Sequence, residues 1–206
     1  MNVAIIDYGL GNVQSVIGAI EKLGFDAILT NDHEKLTQSD VLILPGVGAF
    51  GDGIKYLEKN NLIDILNKLV LVDKKPILGI CLGMHLFASK GHEFGQHKGL
   101  GWIEASVQKF EIPDEFKLPH VGWNDISILR DSRLFSKIEK KLFYFVHSYH
   151  FVPKNKDVVL ATCDYGISFV ASVNQDNIYG TQFHPEKSQK EGLLVIENFL
   201  KKYDNA

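Results

Sequence analysis

The feature that most constrains the fold is a series of short, almost wholly apolar runs in the first half of the chain. These runs are NVAIID (2–7), DAILT (26–30), DVLILPG (40–46) and KPILGI (75–80). Segments with helical spacing of apolar residues separate them. Strands that are apolar on both faces are typical of a parallel sheet covered by helices on both sides. The pattern therefore predicts an α/β fold with a mostly parallel central sheet.

The second half of the chain is rich in β-branched and aromatic residues, which favours short antiparallel strands added to that sheet. We expect these strands over residues 99–110, 120–129, 141–152, 157–163, 167–175 and 177–183. Helices are expected over residues 52–73, 82–89 and 188–203. No change of composition separates the two halves, so we predict a single domain over residues 1–206.

Charge and cysteine content narrow the class of protein. The net charge of -3 gives no basic field for nucleic acid or an anionic membrane. The apolar run over 76–88 is shorter than the roughly 20 residues that span a bilayer. The first residues do not resemble a signal peptide, since Asp7 interrupts their apolar run. With only two cysteines, we expect a cytoplasmic protein.

One of those cysteines lies in a pattern typical of a nucleophile. In GICLG (79–83), Cys81 follows a predicted strand, precedes a predicted helix and has glycines two residues away on each side. Such flanking residues permit the sharp turn of a nucleophile elbow, and the helix N-terminus favours a thiolate. The alternative is a buried thiol in an apolar strand. Cys163, without flanking glycines, is expected to be structural.

A base for that thiolate is available in GTQFHPEKS (180–188). Pro185 cannot continue a central strand, so His184 is expected at a strand end that faces the loops. Glu186 would lie on the same side if the chain stayed extended, and could orient the imidazole. The alternative is a local surface pair. Together the three residues could form a Cys-His-Glu triad.

Two glycine-rich turns follow predicted strands. In PGVG (45–48), an N–H of Val47 or Gly48, together with that of Leu82, could stabilise an oxyanion. The turn lacks the lysine and hydroxyl residue of a phosphate-binding loop. DYGLGN (7–12) lacks the third glycine of a dinucleotide site, and Asn12 is a candidate helix cap. No metal-ligand spacing is present, and we expect neither a metal nor another cofactor.

Taken together, the motifs resemble the class I (triad) glutamine amidotransferases. GICLGM and FHPEKS are specific to the class, whereas IDYGLGN, PHVGWN and FVHSY resemble the glutaminase subunits of imidazole glycerol phosphate synthase. The resemblance implies a flavodoxin-like α/β fold and hydrolysis of glutamine to glutamate. It also implies that ammonia passes to a (β/α)8-barrel cyclase partner of histidine biosynthesis, in a one-to-one heterodimer.

Roles for individual residues follow from the same resemblance. Cys81 would attack the glutamine side-chain amide, His184 would act as base and later as acid, and Glu186 would orient His184. Residues expected at the substrate are Gly48, Leu82, His85, Ser148 and Tyr149. Residues expected at the cyclase are Asn12, Trp123, Asn124 and Lys187, although for Trp123 the residues alone favour a position in the core.

His85 departs from the family pattern, which usually has glutamine at this position. A neutral imidazole offers one donor and one acceptor in fixed positions, whereas an amide offers two donors and a carbonyl. We therefore expect His85 to contact glutamine but hold it less well, or to make binding depend on pH near a pKa of about 6.5. The departure also admits a paralogue whose barrel partner aminates another acceptor, such as a sugar precursor of a surface glycan.

Two further alternatives remain at this point. The same triad could act on another acyl substrate, as in γ-glutamyl peptidases or thiol hydrolases. A binding module of low catalytic activity could regulate its partner, although such a module would not need Cys81, His184 and Glu186 together. In the leading hypothesis, the glycines of the 46–48 turn predict oxyanion donors that align only when the partner holds its nucleotide.

Overall fold

The computed structural model describes residues 1–204 and contains two β-sheets flanked by helices. The strands are β1 (Asn2–Ile6), β2 (Asp26–Thr30), β3 (Val41–Leu44), β4 (Ile77–Ile80), β5 (Ala88–Gly91), β6 (His97–Lys98), β7 (Ile103–Lys109), β8 (His120–Ile128), β9 (Leu142–His147), β10 (Tyr149–Pro153), β11 (Val159–Tyr165), β12 (Ile167–Gln175) and β13 (Ile178–Thr181). The α-helices are α1 (Val13–Lys22), α2 (His33–Gln38), α3 (Phe50–Lys59), α4 (Leu62–Asn67), α5 (Leu82–Leu86) and α6 (Gln189–Tyr203). No helix within these 204 residues is both long enough and apolar enough to cross a membrane.

The larger sheet has nine strands in the order β2-β1-β3-β4-β13-β12-β11-β8-β9. The first five of these strands are parallel, and the remaining pairings are antiparallel. The α/β architecture with antiparallel strands in the C-terminal half is thus confirmed. Because β3, β4 and β13 are parallel neighbours, their carboxyl ends lie side by side. The segments that follow these strands therefore meet at one edge of the sheet.

Apolar layers cover both faces of this sheet. Successive residues of β3 point to opposite faces and are all buried, Leu42 and Leu44 in one layer, Val41 and Ile43 in the other. Helices α3 and α4 pack into the first layer, and α1 and α6 pack into the second. Burial on both sides explains why the central strands contain almost no polar residues.

The structure differs from the predicted strands most clearly at residues 141–152. These residues form two strands in different sheets, β9 and β10, and the chain changes sheet at Ser148. The second sheet has the order β10-β7-β5-β6, which the sequence did not indicate. Because of the break, His147 and His150 do not lie on opposite faces of one strand. Both rings pack against Phe110, at 5.1 and 4.7 Å between centroids.

The predicted helices also differ from the structure in their extent. The segment 52–73 is interrupted at Asn61, whose left-handed φ of 54° ends the first helix, and it closes in a π-helical turn over Lys68–Val72. The helix predicted over 82–89 ends at Leu86, because the chain turns there into β5. Helix α2 was not predicted. The C-terminal helix agrees with the prediction to within one residue.

Candidate active site

Cys81 lies between strand β4 and helix α5 in a strained backbone conformation. Its φ of 53° and ψ of -108° are rare for a residue with a side chain. Its N–H donates a hydrogen bond of 2.7 Å to the carbonyl oxygen of Thr181 on the adjacent strand β13. The backbone at Cys81 therefore has the sharp strand-to-helix turn expected of a nucleophile elbow.

The two flanking glycines are required by close packing around this turn. A β-carbon at Gly83 would collide with the carbonyl oxygen of Leu44, at the end of β3. A β-carbon at Gly79 would lie 2.6 Å from the ring of Phe87. Neither position has room for a side chain. The backbone of the turn can therefore approach strand β3 and the ring of Phe87 at the end of helix α5 closely.

His184 and Glu186 form a buried pair beside the elbow. Nδ1 of His184 lies 2.8 Å from Oε1 of Glu186, and both side chains are 1% exposed. The chain does not stay extended between them, as the sequence argument assumed. Instead Pro185–Lys187 forms a 3₁₀ turn that brings the carboxylate back to the imidazole. A backbone hydrogen bond fixes the position of His184. Its N–H donates to the carbonyl oxygen of Tyr144 at 2.9 Å.

The charge on His184 is set by its neighbours. Burial by itself would lower the pKa of the imidazole, but the nearby Cys81 and the Glu186 carboxylate outweigh it and raise the pKa to about 10. Nε2 of His184 is the ring atom not bound to Glu186. Among residues 1–204 it has no hydrogen-bond partner of good geometry, although Cys81 is its main electrostatic neighbour. This nitrogen is available for proton transfer at the elbow.

A cavity of about 320 Å³ opens at these residues. Cys81 and His184 both line it, together with Glu93, His147 and Lys187. Its lining also includes every residue expected at the substrate, namely Gly48, Leu82, His85, Ser148 and Tyr149. Gly48 has a φ of 107°, which glycine adopts readily. The volume suits a small polar molecule the size of an amino acid.

His85 reaches the cavity but differs from expectation in its chemistry. Its Nε2 lies 2.7 Å from Oε1 of Gln182. Burial, with a smaller contribution from the nearby His150, outweighs the bond to Gln182 and lowers the pKa of His85 to about 4. The imidazole is therefore neutral from pH 6 to 8. Titration of His85 near pH 6.5, as the sequence suggested, is wrong.

His85 belongs to a group of four histidines around His147, which also lines the cavity. Nδ1 of His120 lies 3.1 Å from Nε2 of His147, whose own Nδ1 lies 2.8 Å from the carbonyl oxygen of Tyr149. Burial lowers the pKa of His120 to about 4 and lowers that of His147 well below its usual value. Burial also lowers the pKa of His150. We call His85, His120, His147 and His150 the neutral histidine cluster.

Two of the residues expected at a partner, Trp123 and Lys187, lie beside the same ring, that of Tyr144. Trp123 is 43% exposed and packs edge-to-face on Tyr144 at 6.0 Å, and Nζ of Lys187 lies 5.8 Å from the same ring. The expectation of a core tryptophan, drawn from the residues alone, is wrong. Asn124 donates from Nδ2 to the carbonyl oxygen of Asp164 at 3.0 Å. Asn12 occupies the N-cap position of α1, but its side chain makes no capping hydrogen bond.

Sequence reasoning missed Glu93 and Gln182. Glu93 comes from the loop between β5 and β6, and its Oε2 accepts a hydrogen bond of 2.8 Å from the N–H of Phe50. Nothing in the loop sequence indicated that it reaches the cavity. Gln182 is fully buried beneath Cys81. It lies two residues before His184, and that alternate spacing could have drawn attention to it.

Comparison with known proteins gives a consistent result. The family model for class I glutamine amidotransferases matches residues 4–203. Imidazole glycerol phosphate synthase subunit HisH 2 from Methanococcus maripaludis is 50% identical, over 97% of this chain and 98% of that protein. Subunit HisH from Pelagibacter ubique is 47% identical, over 97% and 99% of the two chains. In the solved structure of PurLQS from Thermotoga maritima, a chain that is 19% identical has the same fold, with a TM-score of 0.76 over 98% of this chain and 99% of that one.

Proposed function

This chain belongs to the class I glutamine amidotransferase family, and we infer that it is the glutaminase subunit of an imidazole glycerol phosphate synthase in histidine biosynthesis. Relatives with that name match it at 43–50% identity over nearly their whole length. We further propose that residues 1–206 act as one amidotransferase domain in the cytoplasm.

One observation carries the proposed mechanism: a strained Cys81 lines the same cavity as His184, whose ring is held by the buried Glu186. The Cys81 thiolate attacks the side-chain amide carbon of glutamine. Protonated His184 gives its Nε2 proton to the departing nitrogen, so ammonia leaves and a γ-glutamyl thioester remains. His184 then takes a proton from water, the hydroxide attacks the thioester, and glutamate is released. Glu186 holds the ring and stabilises its charged form.

The oxyanion that forms in each step needs hydrogen-bond donors. The N–H of Leu82, directly after the nucleophile, is one proposed donor, and an N–H of the 47–48 turn is the second. Such a donor contributes on the order of 2.7 to 4 kcal/mol to transition-state stabilisation. Because glycine at position 48 permits its peptides to rotate, we propose that the second donor is aligned only when the partner holds its nucleotide.

Polar groups around the cavity fit the amino-acid end of glutamine. Among residues 1–204, Glu93 is the one carboxylate that lines this cavity, so we assign it to the α-ammonium group. Ser148 and Tyr149 lie where the chain changes sheets and present polar atoms to the same space. His85 lines the cavity as a neutral ring and is assigned to the same end of the substrate.

We propose a (β/α)8-barrel cyclase as the partner, in a one-to-one complex that receives the ammonia. The exposed face formed by Trp123, Tyr144 and Lys187 lies beside His184 and offers apolar and cationic contacts. Asn12 and Asn124 are assigned to the same interface by their positions in family motifs. Since Lys187 belongs both to the cavity lining and to this face, ammonia would have a short path to the partner.

His85 is the observation that favours a second candidate function. A paralogous glutaminase could supply ammonia to a related barrel synthase that aminates a different acceptor, such as a surface-glycan precursor. The triad would be the same, because hydrolysis of glutamine does not depend on what the partner does with ammonia. Activity with the histidine-pathway nucleotide distinguishes the two.

A single assay tests reaction, partner and coupling together. Glutamine hydrolysis is measured for the chain alone, with the cyclase, and with the cyclase plus its nucleotide. We expect low activity alone, high activity in the full mixture, and loss of activity in Cys81→Ala while added ammonium still supports the cyclase. Cys163→Ala is the matched control and should retain activity. Hydrolysis that survives Cys81→Ala contradicts the mechanism, and turnover of γ-glutamyl peptides without a partner favours a peptidase.

A further inference from the structure

Gln182 connects the two unusual residues of the elbow segment. Its side chain is fully buried and lies beneath the cavity, not in its lining. Its Oε1 lies 2.7 Å from Nε2 of His85, and its Nε2 lies 3.8 Å from Sγ of Cys81. Its backbone N–H is bound to the carbonyl oxygen of Ala171 at 2.8 Å, which fixes the strand end from which the side chain extends.

The orientation of this amide sets the tautomer of His85, because Oε1 of Gln182 faces Nε2 of the ring. A carbonyl oxygen only accepts hydrogen bonds, so the proton of neutral His85 lies on Nε2 and is donated to Oε1 of Gln182. The amide nitrogen of Gln182 then faces Sγ of Cys81 with a hydrogen to donate. In the opposite orientation, the partial negative charge of the oxygen would face a thiolate and repel it.

Within residues 1–204, the other charged and titratable groups near Cys81 do not bind the side-chain amide of Gln182. Tyr8 is buried close to Cys81, but its hydroxyl donates to the carbonyl oxygen of Pro45 at 2.8 Å. His184 faces Cys81 from the other side and is bound to Glu186 through Nδ1. His147 and His150 lie near His85, and both are held neutral by burial. Oε1 of Gln182 is therefore bound to His85, and its amide nitrogen faces Cys81.

We propose that Gln182, held by His85, is a positioning residue that donates a hydrogen bond to the Cys81 thiolate. His85 thus acts on the nucleophile through Gln182 in addition to lining the substrate cavity. This inference rests on the proposed role of Cys81. Glutamine at position 85 could also donate to Oε1 of Gln182 through its amide, so the usual residue of the family would preserve the arrangement.

The test measures the rate of Cys81 alkylation by iodoacetamide as a function of pH, in a Cys163→Ala background. Gln182→Met keeps a side chain of similar length but cannot donate. We expect the pH of half-maximal rate to rise by about one unit, because a hydrogen bond to a charged group changes an equilibrium about tenfold or more. An unchanged pH profile in Gln182→Met overturns the proposal.

A second pair of variants separates this effect from loss of packing. His85→Leu removes the donor to Gln182 and should shift the profile in the same direction, whereas His85→Gln should restore it. If the pH of half-maximal alkylation shifts equally in His85→Leu and His85→Gln, the role of His85 is overturned. For glutamine hydrolysis with the partner present, Gln182→Met should lower kcat about tenfold and change KM less than twofold, since Gln182 does not line the cavity. A change in KM alone contradicts the proposal.

The proposed function can fail independently of this inference. If the chain with its partner and nucleotide hydrolyses no glutamine, the glutaminase assignment fails. The alkylation profiles of the same variants still report whether Gln182 stabilises the Cys81 thiolate. Conversely, normal hydrolysis with identical alkylation profiles rejects the inference alone.

Discussion

His184 and the neutral histidine cluster are buried in the same region but differ in charge. The Cys81 sulfur and the Glu186 carboxylate raise the pKa of His184 to about 10 against the effect of burial. His147 lines the same cavity, yet burial and neighbouring histidines lower its pKa well below the usual value. The difference shows that burial alone makes an imidazole neutral, and that an adjacent negative group is needed to keep it charged.

This contrast has a chemical consequence for the cavity. Of the histidines that line it, only His184 is protonated near neutral pH, so the site has one imidazolium and one proton to transfer. His85 and His147 remain neutral and serve as fixed hydrogen-bonding groups. A protonated histidine at either position would repel the ammonium group of a bound amino acid.

The largest effect is expected from removing the charge beside His184. Glu186→Gln keeps the shape of the side chain but removes the carboxylate, so the pKa of His184 should fall, although Cys81 still raises it, and the charged ring loses the partner of its Nδ1. We expect kcat for glutamine hydrolysis to fall on the order of 10²- to 10⁴-fold. Steady-state assays with the partner measure this, with Glu197→Gln on helix α6 as a surface control. A loss below threefold would contradict the role of Glu186.

The next effect concerns stability in acid. Between pH 6.5 and 4 the unfolded chain binds a proton at His85 that the folded chain does not, because burial lowers the folded pKa to about 4. The free energy of unfolding should therefore fall as pH falls, by about 3 kcal/mol from His85 alone. Urea unfolding at pH 7 and pH 4 should show a smaller loss for His85→Gln than for the unchanged chain. Equal losses would show that His85 does not contribute.

His184 should behave in the opposite way with pH. Its folded pKa is raised to about 10, so its contribution to stability is complete below about pH 6.5 and is lost as pH rises toward 10. His85 and His184 together predict that the free energy of unfolding is highest near neutral pH. His85 accounts for the decline in acid, and His184 accounts for the decline in base.

A smaller effect is expected from placing a charge next to the neutral histidine cluster. Nδ2 of Asn124 lies 3.5 Å from Nε2 of His120, so Asn124→Asp would bring a carboxylate to a ring whose pKa is about 4. We expect the pKa of His120 to rise by about one unit or more. NMR titration of the histidine rings measures it, and Asn155→Asp, on a distant loop, is the control. No change would mean that solvent already screens this site.

The smallest effect is expected from breaking an exposed ion pair whose N···O distance equals that of the His184–Glu186 pair. Lys154 and Glu104 lie 2.8 Å apart, as His184 and Glu186 do, but their side chains are 75% and 70% exposed. Solvent screens such a pair and its ordering has an entropic cost. Glu104→Gln should leave the urea midpoint and glutamine hydrolysis unchanged within error. A clear loss of either would show that distance, and not burial, determines the importance of an ion pair in this fold.

The sequence predicted the parallel half of the sheet well because central strands must be apolar on both faces. The predicted runs 2–7, 40–46 and 75–80 contain strands β1, β3 and β4 of this half. Prediction failed where tertiary packing decides the path of the chain. The continuous apolar pattern over 141–152 does not reveal that Ser148 separates two sheets, since each half is a good strand by itself.

The same distinction applies to the candidate site. Cys81 and His184 could be proposed because glycine and proline in their local sequence signal special backbone conformations. Glu93 could not, because its place in the cavity depends on how a loop folds over helix α3. The cluster of neutral histidines could not be foreseen either. Its members come from four separate strands and helices that only the folded chain brings together.

The close approach at Gly83 has a consequence for protein engineering. Because a β-carbon there would strike the backbone of Leu44, position 83 joins the nucleophile turn to the strand that leads into the 45–48 loop. A library that randomises this position would consist mainly of misfolded clones. Position 85 already carries a residue other than the family's usual one and remains buried and hydrogen-bonded. Directed evolution toward other amide substrates should therefore vary residue 85 and keep glycine at 83.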